Sequence, residues 1–331
     1  MPEVYGSLSY ISENAERMKR TVAAMTVDTP AAAYEMAGTE YTFHMNPHAG
    51  MSYTDALIQR IAKSYFPPSR QWHWQEYVTG TDTYLSEPTI GVPTVWPYSG
   101  TGVLTHHNSE DKPETVDTRS LHDLTVLVAS YLYFNATAGE PQVRWLAEIT
   151  LDHTLQEMQS TAATAVDGLL SGNASAGSYG LERVQYFAKR GQQAALTSLR
   201  VVPQGRKEQA SQSLAPVLSQ IRDFQTSQLN RLRSAGAKDV PEVRSSEADR
   251  IVVRRNRRGT LPMDDLPQDQ WHGYPSGAWD KLVTMALYWC DGKRNLTEVI
   301  HLTKMETGPT DFDFIGYFRF LHEHGYVDFA K

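Results

Sequence analysis

Between residues 141 and 236 the chain carries three long stretches at helical period: QVRWLAEITLDHTLQEMQSTAATAVDGLL, YGLERVQYFAKRGQQAALTSLRVV and EQASQSLAPVLSQIRDFQTSQLNRLRSAG. Nothing else in the sequence constrains the fold as strongly. Each helix must bury an apolar stripe along its length, and short connections force neighbours to run antiparallel. The expectation is an all-α layer over 141–236, with the Gly-rich SGNASAGSYG separating the first two helices. His153 lies inside the first helix, where a structural or exposed histidine is expected and not a ligand.

The flanks read differently. Residues 1–137 alternate helical and extended patterns. SENAERMKRTVAAM predicts a helix; AAMTVDTPAA, YTFHMNP and IGVPTVWPY predict strands. SYTDALIQRIAKSYFPP predicts an amphipathic helix stopped by two prolines, and DTRSLHDLTVLVASYLYFNATAG a long helix capped by Asp117 or Thr118. Such alternation points to an α/β layer structure. Residues 240–331 form a third unit, an irregular connector followed by three short helices and an extended end, GYVDF. That order is the pattern of a small winged-helix-like module.

A chain of 331 residues with 40% hydrophobic and 21% charged residues has the material for two or three packed domains. Its formal net charge of −7 argues against general nucleic-acid binding and against an anionic membrane surface. Cys290 is the one cysteine, so no intrachain disulfide forms, and a buried small hydrophobe is the expected role. The N-terminus shows no apolar signal core and no run reaches membrane-spanning length. A cytoplasmic location is expected.

Chemistry concentrates in GVLTHHNSEDKPETVD, residues 102–117. Neighbouring side chains diverge, so His106 and His107 do not share one metal, and the useful unit is one histidine with the acid that orients it. His107 and Asp111 stand four apart among turn formers. Taken alone, the stretch reads as half of a metal site or as a solvated polar loop.

Three motifs in order resemble the C-terminal half of the catalytic domain of co-catalytic zinc aminopeptidases, the family of leucyl aminopeptidases and glutamate carboxypeptidase. TVDTP resembles the strand ending in an aspartate ligand, TGTDTYLSEPTIGVPTVWPY the Ser/Gly-Asp segment leading into a Gly-Ile-Pro strand, and HHNSEDKPETVD the last ligand motif before the closing helix. The resemblance covers about 130 residues. It implies Asp28 as a carboxylate ligand of one zinc and His107 as an imidazole ligand of the other. It also implies Asp111 as the acid behind His107, Asp82 as an organiser of the site loop, and Tyr84 as a contact to the substrate carbonyl. Two zinc ions would be expected in a complete site, acting on the N-terminal bond of a peptide substrate. The sequence departs from the family at Thr29-Pro30 after Asp28 and at Asn108 after His107, and no His-x-Asp or Glu-Glu pair precedes Asp28. The general base is therefore expected outside this chain, with the metal site incomplete, zinc weakly held or absent, and the chain alone inactive.

The implied fold class is α/β: a partial three-layer, mixed-sheet zinc-peptidase-like domain over 1–137, the all-α region over 141–236, and the connector with its winged-helix-like module over 240–331. The implied function is the C-terminal part of a zinc-dependent aminopeptidase. The alternative is a catalytically inactive peptidase-like binding or assembly protein. A split sheet implies self-association as a homo-oligomer. Residues 279–331 hold six Lys/Arg against eight Asp/Glu, which argues against a DNA-reading role for the module. The basic run Arg254, Arg255, Arg257 and Arg258 reads as a solvated or acid-paired segment.

Overall fold

The computed structural model describes residues 5–28, 31, 41–79, 81–99, 108–239 and 247–330. Its helices run α1 (Tyr5–Glu13), α2 (Ala15–Arg20), α3 (Tyr53–Tyr65), α4 (Thr118–Thr137), α5 (Glu140–Leu170) and α6 (Ala174–Leu196). They continue with α7 (Lys207–Gln212), α8 (Ala215–Ser234), α9 (Lys281–Trp289), α10 (Leu296–Thr307) and α11 (Phe314–Glu323). The strands are β1 (Ala24–Met25), β2 (Tyr41–His44), β3 (Trp72–Gln75), β4 (Thr94–Tyr98), β5 (Val253–Arg255) and β6 (Val327–Phe329). The class is mixed α/β, mostly helical, with a small mixed sheet. No helix among the described residues is long and apolar enough to cross a membrane.

The first sheet has the order β1-β4-β2-β3. β1 is parallel to β4, with Ala24 opposite Thr94, and β2 is parallel to β3, with Tyr41 opposite Trp72. The two pairs meet antiparallel, with His44 opposite Trp96. The carboxyl ends of the two parallel pairs therefore open on opposite edges of the sheet. β3 was not anticipated: WHWQ has no clear alternation, and its strand character comes from pairing with β2. Helix α3 starts in a capping box, where the Ser52 side chain accepts from Thr54 N–H and Asp55 accepts from Ser52 N–H. Its Ala56, Leu57, Ile58 and Ala62 are buried in the same apolar cluster as Phe43 and Val95 of the sheet. Of the two cap candidates for α4, Asp117 is the cap, accepting from Arg119 N–H at 2.7 Å.

The helical layer corrects one expectation. Only Ser171–Asn173 separate α5 from α6, and the remainder of SGNASAGSYG is helix. Gly172 makes the turn at a φ of 86°, but Gly177 and Gly180 face a neighbour too close for a side chain: a Cβ at Gly180 would stand 2.3 Å from Ala165 Cβ, and further along α6 one at Gly191 would stand 2.1 Å from Thr154 Cγ2. Close backbone approach, not a flexible linker, accounts for these residues. The third helical stretch divides into α7 and α8, with Pro216 in the first turn of α8 where its missing N–H costs nothing.

The connector also differs from expectation. It contributes β5, which pairs antiparallel with β6, and Val252 bridges Asn295 just before α10. The backbone hydrogen bonds Leu296 N–H to Ile251 O and Ala330 N–H to Val252 O, both 2.8 Å, fix this strand between the two ends of the module. One apolar cluster then joins residues from all three regions, from Phe43 through Leu146 and Val184 to Tyr317.

Candidate functional site

In open α/β sheets, ligands bind in the crevice beyond the carboxyl ends of the strands. This sheet has two such ends. At the β1/β4 end, Asp28 lies half-buried three residues beyond β1. The Trp96 indole N–H donates to the Asp28 carbonyl at 2.8 Å, and His44 stacks on Trp96 with ring centroids 4.5 Å apart. Asp117 N–H donates to Ala31 O at 2.9 Å, so the segment entering α4 returns to the exit of β1. His106 and His107 lie outside the described residues. Asp111 is exposed, in a turn where its N–H donates to Asn108 O at 3.1 Å.

Asp82 and Tyr84 sit at the other end of β4. Val92 N–H donates to Leu85 O at 3.0 Å, which places their turn before β4 begins, whereas Asp28 lies alongside its later residues. Tyr84 is 1% exposed and packs with Ile11, Met18, Ile90 and Val92. Burial raises its hydroxyl pKa, and the hydroxyl is engaged by Ser7 and Asp82. The sequence motif joined these residues to Asp28, but the strand between them separates the two. Among the described residues, no group of three or more His, Cys, Asp or Glu stands close enough to hold a metal ion.

The β2/β3 end is built from residues that no motif linked. Asn46, two residues past β2, accepts from Thr94 N–H at 2.7 Å and donates through Nδ2 to Asp55 at 2.6 Å. Burial pushes the Asp55 carboxyl up to about 6 despite these hydrogen bonds. His48 N–H donates to Glu306 at 2.8 Å, and its Nδ1 is 2.9 Å from the Tyr186 hydroxyl. Glu306 also accepts from the Trp289 indole at 2.8 Å, and burial pushes its carboxyl up to about 7. These contacts join the sheet, α6 and the C-terminal module.

A cleft opens beside this junction, with Trp74, Glu76, His153, Glu157, Arg183 and Phe187 in its wall. His153 and Glu157 are one helical turn apart on α5 and share a face. Trp74 meets the His153 ring edge-on at 5.5 Å, and burial pushes that imidazole down to about 4, so it is neutral near pH 7. Burial raises the Glu157 pKa. The Arg183 guanidinium lies 4.9 Å from the Phe187 ring centre, and its Nε is buried without a hydrogen-bond partner. Glu76 pairs with Lys281. His153 is thus half-buried and lines a cleft. Its spacing to Glu157 was the one legible trace of this site, since the other walls come from distant segments.

Among the described residues, acids pair with Arg254, Arg255 and Arg257 of the basic run. Arg255 pairs with the fully buried Glu87, Arg254 with Asp328 at 3.2 Å, and Arg257 with Asp265 at 3.1 Å. Cys290 is buried, and its thiol is pushed up to about 12. Comparison with known proteins finds no matching family model, no matching curated protein and no matching solved structure.

Proposed function

We propose that this chain carries the C-terminal part of a zinc-dependent aminopeptidase, with Asp28 and His107 contributing one ligand each. The observation that carries the reading is the return of the chain to the exit of β1. Asp28 stands beyond a strand's carboxyl end, and the segment following the histidine motif is tied there through Asp117 N–H and Ala31 O. On this reading, the sheet with α3 and α4 is the surviving side of a three-layer peptidase-like domain, and α9–α11 with β5 and β6 form a winged-helix-like module. The described residues alone do not fit a zinc centre, since no set of three ligands gathers among them. No hydrolytic step is therefore derived through the metal, and the general base and bridging ligands belong elsewhere.

A second reading, a non-catalytic binding or assembly protein, is favoured by α4. From Leu124 to Thr137 this helix carries no charged residue, and Leu132 and Tyr133 on it are 47% and 73% exposed. Such a surface promotes association, including with a second copy of the chain.

Zinc per chain after dialysis, with aminoacyl-nitroanilide turnover, separates the readings. The peptidase reading expects weak zinc binding that Asp28→Asn and His107→Ala each abolish, without turnover by the chain alone. Zinc uptake indifferent to both substitutions would overturn it. Absence of zinc uptake together with concentration-dependent association would favour the assembly reading.

A further inference from the structure

The β2/β3 cleft is a second site, independent of the Asp28 reading. Asn46, His48, Asp55 and Glu76 in its lining are engaged by the fold, whereas Glu157, His153 and Arg183 are not ion-paired. Among the described residues no ion pair or hydrogen bond reaches the Glu157 carboxylate or the His153 ring, and Arg183 is held only by the Tyr179 hydroxyl, at 3.4 Å, and by aromatic faces. The Arg183 charge acts on Glu157 through space, but no ion pair joins them, so both groups keep hydrogen-bonding capacity for a guest in this partly desolvated cleft. The cleft offers about 40 Å³, room for a few waters or a compact head group. Three acids line it, but Asp55 is held by Asn46 and Ser52 and Glu76 by Lys281, which leaves Glu157 and Arg183 as the charges without an ion pair, beside Trp74 and Phe187.

We infer that this cleft binds the zwitterionic head of a free α-amino acid, its ammonium on Glu157, its carboxylate on Arg183 and its side chain directed outward past Trp74. A head group bearing both charges on one carbon matches a cleft bearing both countercharges. A simple anion leaves Glu157 unpaired, and a simple cation meets Arg183. A polar guest of this kind replaces water with charge-assisted hydrogen bonds to both walls.

Calorimetric titration of the full chain tests this with L-leucine, n-butylamine and acetate as probes. Saturable leucine binding is expected, with both single-charge probes weaker. Glu157→Gln and Arg183→Gln should each weaken leucine by about tenfold or more, the loss of one charge-assisted contact. Butylamine should respond to Glu157→Gln and not be weakened by Arg183→Gln; acetate should show the reverse. Circular dichroism melts verify that the variants fold, and two variants of opposite charge guard against a single failure. Absence of saturable leucine binding to the wild-type chain would overturn the inference, as would binding that both folded variants retain.

Discussion

The two ends of one four-stranded sheet are finished in different ways. At the β2/β3 end the chain is locked: Asn46, Asp55, His48 and Glu306 form a buried hydrogen-bonded junction with α6 and the C-terminal module. Glu87, beside the start of β4, ties the same end to Arg255. At the β1/β4 end the described contacts include Trp96 to Asp28 and Asp117 to Ala31, which join segments distant in sequence. Of the motif residues, Asp28 lies at the second end, Asp82 and Tyr84 lie at the first, and His107 lies outside the described residues. A motif marks residues whose chemistry is written in one short stretch. A packed cleft draws single residues from many stretches, none of which is distinctive alone.

The largest test of this contrast is electrostatic. Arg255→Ala leaves Glu87 buried without its cation and should cost about 3–5 kcal/mol of stability. Asp111→Asn, in the exposed turn that leads back to the opposite end, should cost less than about 1 kcal/mol. Urea denaturation of the two variants measures both, and equal losses would erase the distinction between a buried ion pair and an exposed turn.

A smaller effect is expected where α5 and α6 touch behind the cleft. Alanine is the better helix former, by about 1 kcal/mol over glycine. In Gly191→Ala, however, the new methyl would stand 2.1 Å from Thr154 Cγ2, next to His153. Overpacking of this kind costs about 1–3 kcal/mol, so the substitution should destabilise in thermal melts and weaken leucine binding. A raised melting temperature would show that the seam is looser than the structure has it.

The smallest effect is one of pH. The unfolded His153 titrates near 6.5, whereas burial holds the folded imidazole at about 4. The unfolded chain therefore binds the extra proton, and this contribution to stability is complete above pH 6.5 and lost as pH falls toward 4. Asp55 and Glu306, raised to about 6 and about 7 from 3.8 and 4.5, act in the opposite sense. Their contribution is complete below the unfolded values and lost as pH rises through the folded ones. His153→Gln removes only the acid-side loss, so the variant should gain stability relative to wild type on going from pH 7 to pH 5. A difference that does not change with pH would mean that the ring is solvated.

Local order was largely legible in the sequence. The cap at Asp117, the apolar spacing of α3 and its end before Pro67-Pro68 are short-range effects, written in adjacent residues and retained in the structure. The basic run read as solvated or acid-paired without a choice between them, and its partners Glu87, Asp265 and Asp328 were not legible. At the β1/β4 end, Asp28 is named only by the resemblance. The same resemblance attached Asp82 and Tyr84, which the length of β4 carries to the other end.

What the sequence determined by itself was the inventory: where helices start, which faces are apolar, and that one stretch carries a histidine and its acid. Tertiary structure alone decided that WHWQ is a strand, that the connector supplies β5, and that glycines which read as a linker are contact points between helices. It alone brought His153, Glu157 and Arg183 to the edge of a sheet that ends at Glu76. The physical reason is range. Capping and periodicity act within a turn or two of the backbone, whereas strand pairing, close helix packing and a cleft's charge depend on residues that meet only after the chain has folded.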